Sequence, residues 1–300
     1  MRNSYFINNN TFKLLIFSTI ICIILSLFLN DFYLNILAFS GILTFGIIHG
    51  ANDLLLIKEV SENYNFKLQF LYYVIMVVGF FLFFYNIPIL ALITFVLLSS
   101  YHFGEHQWTL FERIEDDFIK IFYFFYGLTI FSLLFYFNIN EVSEIIYDIT
   151  TIELSDDFFF YLLLISSLIS FISSLLFYQQ IKNQLITQII LLALLILTFK
   201  TCGLIWSFAL YFVFWHSIPS IKEQTIFIFG KAGKESIKNY FKKAFLYWLL
   251  SIVVLIITYY LFKANQDKLI SIFFSFLASI TFPHTFVVSK IKKPSERELF

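Results

Sequence analysis

The chain has 300 residues, of which 60% are hydrophobic, 22% aromatic and only 13% charged, with a formal net charge of zero. A soluble domain carries about 25% charged residues, and the mean hydropathy here is +0.84. A water-soluble surface is therefore excluded, and the chain reads as a polytopic membrane protein. The zero net charge offers nothing to nucleic acid. Cys22 and Cys202, far apart in apolar runs, suggest neither a disulfide framework nor a cysteine metal site.

A helix needs about 20 mostly apolar residues to cross the hydrocarbon core. The first such run, 12–30, has Arg2 and Lys13 at its start in the manner of a signal peptide. No small-x-small cleavage site follows it, so it is read as a first transmembrane helix. Further spans are predicted at 33–57, 68–86, 88–107, 118–137, 157–178, 184–199, 202–217, 244–263 and 267–289. Ten spans put both termini on one side. With the termini cytoplasmic, 17 of the 20 basic residues lie inside and only Lys200, Lys263 and Lys268 outside, which fixes the orientation. The acidic stretch 138–157 is expected to be an outer loop and the basic stretch 218–243 an inner one. No repeat is visible, and the fold class is an all-α membrane bundle of about ten transmembrane helices.

All five histidines fall in or at the end of a span, in GIIHGAND (His49), YHFGEH (His102 and His106), FWHSIPS (His216) and TFPHTF (His284). An ionisable residue is costly in a bilayer and usually marks a site. His49, His102, His216 and His284 lie on four spans that run from outside to inside, each roughly 14 to 17 residues in, or about 21 to 26 Å. The four therefore share one predicted layer. His106 lies one turn below His102 on the same face. A lone intramembrane histidine is equally well explained by an interhelical hydrogen bond worth about 0.6 to 2 kcal/mol. Four in one layer point instead to a metal, because neutral imidazole is a common ligand for iron and zinc. Asp53 and Glu105 follow His49 and His102 by four and three residues. Such carboxylates accept the second ring N–H of a ligating histidine, although Glu105 is equally placed to be solvated at the helix end.

Gly46, Gly50, Ala51, Gly104, Ser217 and Ser220 surround these histidines and allow close helix approach. Pro219 and Pro283 are expected to end or kink their helices. Tyr101, Phe103, Trp108, Trp206, Phe214, Trp215, Phe282 and Phe286 are candidates to line a pocket for a long apolar substrate. In so aromatic a chain most of them are expected to face lipid or the core.

GIIHGANDLLL, YHFGEH, FWHS and TFPHTF, in this order and spacing, resemble the Brp/Blh-type β-carotene 15,15′-dioxygenases of bacteria and archaea, over residues 33–289. The resemblance implies a single transmembrane catalytic domain, 1–300, in the bacterial inner membrane. It implies an Fe(2+) enzyme that splits β-carotene at its central double bond with O2, and retinal passed on to a microbial rhodopsin. His49, His102 and His216 fall on the family's iron-ligand positions, and Asp53 on the acidic position of its first motif. The family's third motif is His-Ser-x-x-His, and Ser220 stands where its second histidine is usual. That leaves the fourth ligand to His284, favoured on depth, or to His106, read as an outer or fifth group. An apolar polyene dissolves in the bilayer and enters laterally between helices.

Two other classes compete. HFGEH is an H-x-x-x-H box of the kind used by membrane di-iron desaturases and hydroxylases, but the chain has no HH pair. A metal or proton transporter with Asp53 and Glu105 as carriers would be expected to show inverted repeats, which are not apparent. A retinal-binding rhodopsin is excluded, since no span has a mid-helix lysine for a Schiff base.

Overall fold

The structure is a computed structural model and describes residues 9–61, 64–112, 114, 116–263 and 269–291. Arg2, Arg113, Lys268, Lys292, Lys293 and Arg297, counted above in the charge balance, lie outside the described residues. The helices are α1 (Asn9–Phe28), α2 (Asp31–Gly41), α3 (Asp53–Val60), α4 (Phe66–Asn86), α5 (Pro88–Thr109), α6 (Ile119–Phe137), α7 (Ile139–Thr150), α8 (Asp156–Leu176), α9 (Tyr178–Thr201), α10 (Leu204–Ala209), α11 (Ile218–Phe229), α12 (Lys234–Phe262) and α13 (Leu269–Ile291). Two π-helical turns, Ile42–Gly46 and Leu210–Ser217, interrupt them. Among the described residues there is no strand, and nine helices are long and apolar enough to cross a membrane. The fold is all-α and polytopic, as the hydropathy requires.

The predicted span 33–57 is not one helix. From His49 to Asn52 the backbone tightens, with the N–H groups of Gly50, Ala51 and Asp53 bonding three residues back at 3.2, 3.1 and 3.2 Å. Gly46 and Gly50 lower the cost of leaving the helix, and buried Asn52 donates its Nδ2–H to the Tyr240 carbonyl at 3.0 Å.

The span predicted at 202–217 runs on to Phe229. Pro219 is the second residue of α11 and does not end the helix, because the π turn before it has already widened the hydrogen-bond ladder. The Ile218 N–H bonds to the carbonyl of Val213, five residues back, so the ring meets a loosened turn. The basic loop expected at 218–243 is consequently mostly helix, with only 230–233 between α11 and α12. Gly230, at φ +75°, takes the one left-handed step there. Pro283 sits inside a continuous α13. The acidic stretch 138–157, expected as loop, contains α7. Its Val142 face is buried, while the Glu141 carboxylate accepts the Leu204 N–H at 3.2 Å and caps α10.

The helices form two compact units. The first comprises the described residues within Met1–Ile42, Val96–Tyr147 and Thr151–Pro219. Here α5 and α6 meet backbone to backbone. A Cβ added at Gly104 would lie 2.0 Å from the Tyr123 carbonyl oxygen, and one added at Gly127 would lie 1.8 Å from that of Ser100. Against α6, α8 presents a buried stripe of Ser166, Ser170 and Ser173, small residues at i, i+4 and i+7 that admit a close neighbour. Two tryptophans tie α1 to the later helices: Trp206 donates to the Cys22 carbonyl at 3.0 Å and Trp215 to Thr19 Oγ1 at 3.0 Å.

The second unit comprises the described residues within Leu43–Phe95, Asp148–Thr150 and Ser220–Phe300. In it α13 packs on α3 and α4. Phe80 of α4 stacks on Phe282 of α13 with centroids 3.9 Å apart, beside a core of Phe84, Ala91 and Ala278. Trp248 of α12 donates to the Leu43 carbonyl at 2.7 Å.

The glycine contact gives a direct test. Gly104→Ala and Gly127→Ala should each cost at least the 1–3 kcal/mol typical of overpacking, since the clash is with backbone. Thermal unfolding of the solubilised protein should show a clear drop for both. Gly79→Ala, inside α4 and with nothing within 4 Å of the new Cβ, should hold or slightly raise the midpoint, since alanine is the better helix former.

Candidate functional site

In the first unit three histidines converge. His102 and His106 project from one face of α5, and His216 comes from the π turn Leu210–Ser217, all of them buried. His216 Nε2 lies 3.2 Å from His102 Nε2, and His216 Nδ1 lies 3.2 Å from His106 Nδ1. The Phe103 ring packs 4.4 Å from that of His216 and holds its orientation. Two imidazole nitrogens bound to one ion at about 2.1 Å stand roughly 3.0 to 3.4 Å apart in octahedral to tetrahedral geometry. The His102–His216 separation fits a shared ion. The Nδ1–H of His216 is then the proton donated to His106 Nδ1.

In the second unit His49 occupies the tightened turn and His284 lies on α13, with ring centroids 4.6 Å apart and planes at 85°. His49 Nδ1 bonds to the Gly46 carbonyl. A carbonyl only accepts, so the proton sits on Nδ1 and the neutral ring presents its Nε2 lone pair. His284 Nδ1 lies 2.8 Å from Asp53 Oδ1, while Tyr73 donates its hydroxyl to Asp53 Oδ2 at 2.9 Å. The carboxylate thereby holds the Nδ1–H tautomer of His284, again leaving Nε2 for a ligand. Asp53 serves a histidine on another helix and not His49, four residues before it. Both imidazoles have the tautomer a metal requires, and the donor chemistry suits one.

A cavity of about 270 Å³ adjoins His49 and His284 in this unit, bounded by α4, α12 and α13. Most of its wall is apolar, including Val74, Val77, Leu250 and Val254.

Glu105 is half-buried and accepts the Tyr101 hydroxyl at 3.0 Å. Buried Ser220 accepts Gln224 Nε2–H at 3.0 Å. The Gln224 Oε1 lies 2.7 Å from the Tyr240 hydroxyl, which is also 3.1 Å from the His49 carbonyl. None of the aromatics proposed for a pocket lines the cavity: Trp206, Trp215 and Phe282 are structural, as described, and Trp108 packs on Phe122 and Tyr126. Sequence reasoning missed Tyr73, Gln224 and Tyr240. Gln224 stands four residues after Ser220, a helical spacing that was there to be read. For Tyr73, one of 18 tyrosines, there was no signal.

A family model described as Beta-carotene 15,15′-dioxygenase matches residues 40–292. No curated protein and no solved structure matches.

Removing the carboxylate that orients His284 should weaken metal retention without emptying the fold. Loss of such an outer partner typically lowers metal affinity 10- to 100-fold. Asp53→Ala should therefore release metal to a chelator at about that much lower concentration than the unsubstituted protein, with Tyr73→Phe intermediate, as read by elemental analysis after titration.

Proposed function

The chain belongs to the β-carotene 15,15′-dioxygenase family, and on that premise we propose that it cleaves β-carotene at the central 15,15′ bond with O2, giving two molecules of all-trans-retinal in an iron(II)-dependent reaction. Family membership makes it an enzyme acting on a carotenoid and O2. The whole chain, 1–300, acts as one catalytic domain. The double bond breaks, each of its carbons becomes an aldehyde, and both oxygen atoms are consumed, so no external reductant or proton is needed. The observation that carries the iron reading is the pair of buried Nε2 atoms of His102 and His216, 3.2 Å apart.

Iron(II), when bound, supplies the redox chemistry with O2, while the protein supplies placement and exclusion of water. His102 and His216 in the first unit and His49 and His284 in the second are the candidate ligands, all as neutral imidazoles. His106 accepts the Nδ1–H of His216 and fixes its tautomer, a part it plays without ligating. His284 is favoured as the fourth ligand because Asp53 and Tyr73 already orient it. Ser220 and Gln224 bond to one another where the family's usual histidine would stand. Glu105, which accepts the Tyr101 hydroxyl one turn earlier on the same helix, is the second carboxylate beside the ligands. The chain resides in the bacterial inner membrane with both termini cytoplasmic, and its retinal goes to a microbial rhodopsin.

Expressed in a host that makes β-carotene, the protein should bleach the pigment and yield about two retinals per carotene consumed; apocarotenals of unequal length would overturn central cleavage. Purified under iron-replete conditions it should hold about one iron per chain. Two irons would favour the desaturase or hydroxylase alternative, and zinc alone would end the oxygenase reading. His49→Ala, His102→Ala and His216→Ala should each lose iron and activity. His284→Ala should do the same, whereas His106→Ala should keep most of its iron with lowered turnover. The reverse pattern for the last two would make His106 the ligand.

A further inference from the structure

The lining of the cavity in the second unit divides into two kinds of residue. His49, Asp53, His284, Phe276 and Leu277 are buried. Val74 and Val78 of α4 and Leu250 and Val254 of α12 also line it, yet they are 37%, 48%, 51% and 42% exposed. On helices of a membrane protein such exposed valines and leucines face lipid. The cavity thus opens to the bilayer between α4 and α12, with α13 as its floor.

Its polarity is one-sided. The hydroxyls of Ser251 and Thr281 donate to the carbonyls of Tyr247 and Leu277 in their own helices, at 3.0 and 2.8 Å, and offer the cavity little polarity. Besides Tyr247 of α12, the polar side chains that remain in the lining are His49, Asp53, Tyr73 and His284, which cluster together. On α13 the lining continues from His284 to Phe276, about 12 Å at 1.5 Å per residue. At about 270 Å³ the volume lies just below the roughly 300 to 1,000 Å³ of sites for drug-sized ligands. That suits one half of a carotene and is too small for the whole.

We propose that the slot between α4 and α12 is the lateral entrance through which one apolar arm of the carotene passes from the lipid, and that the cavity holds this arm with the bond to be cut at the imidazole end. The proposal rests on the reading of the protein as a carotene-cleaving enzyme. It adds the route and the residues that guard it: Val78 and Val254 are the lips, and a larger side chain at either narrows the slot without disturbing buried packing. The competing occupant of an apolar slot in a bilayer is a lipid acyl chain.

The test compares Val78→Trp and Val254→Trp with Leu82→Trp and Ile257→Trp. The last two positions lie on the same helices and are 50% and 52% exposed, but are not among the lining residues. The lip variants should raise the KM for β-carotene about tenfold at unchanged iron content, and the controls should not. Equal KM values for all four in iron-loaded protein would overturn the entrance. Independently of any substitution, a retinoid with a photoreactive diazirine on its ring should label peptides containing 70–78, 247–254 or 276–281. Label only elsewhere, in protein that makes retinal, would overturn the proposal and leave the slot to acyl chains. Failure of the unsubstituted protein to make retinal would instead overturn the functional reading.

Discussion

A backbone hydrogen bond surrendered inside a bilayer has no water to replace it, so a transmembrane helix breaks only where the protein supplies substitutes. The turn at His49–Asn52 is built around that constraint. The N–H groups of Gly50, Ala51 and Asp53 close turns three residues back, the Tyr240 hydroxyl stands by the His49 carbonyl, and Asn52 reaches back to the Tyr240 carbonyl. What the break gains is direction. A histidine in a regular helix points where the helix points, whereas one in a tightened turn is aimed by its local bonds, here Nδ1–H to Gly46. His216 solves the same problem with a π turn, a distortion often found at functional sites, and the ladder it opens is also what accommodates Pro219.

The histidine tautomers follow from the company each ring keeps. A carbonyl fixes His49, a carboxylate held by a tyrosine fixes His284, and another imidazole stands at the Nδ1 of His216. Each arrangement leaves Nε2 as the nitrogen for an ion. No charge beyond Asp53 is required among these partners, which keeps the desolvation cost low in a setting where each unpaired charge would cost several kcal/mol. Neutral ligands would also leave a bound dication its positive charge, which suits a site meant for O2 and an uncharged polyene.

Much of this was legible in the sequence, because hydropathy and histidine placement are both local signals. The helices α4, α5, α6 and α8 fall within two residues of their predicted spans, since each is a plain apolar run bounded by polar residues. The break at His49 was hidden because GIIHGAND is apolar enough to pass as helix, and Tyr240, which bonds to the opened turn, lies far along the chain. α7 was hidden for the opposite reason. Its acids suggested a solvated loop, and only the spacing of Ile139, Val142 and Ile146 marked a helix face. The aliphatic residues lining the cavity carried no signal, because a valine facing a substrate and a valine facing lipid look alike in sequence. His49, His102, His106, His216, His284 and Asp53 stood out because polar groups are so few in these spans.

The backbone contact of Gly104 with Gly127 bears on how the protein is made. α5 and α6 are consecutive and joined by a short connection, so their crossing is available as soon as α6 leaves the translocon, before any later helix exists. A crossing in which even a methyl group collides with a carbonyl has one rotational setting. The hairpin therefore enters the membrane with the azimuth of His102 and His106 already fixed. The later helices of the first unit meet that hairpin as a template, and His216 follows to meet two rings that have been waiting in place.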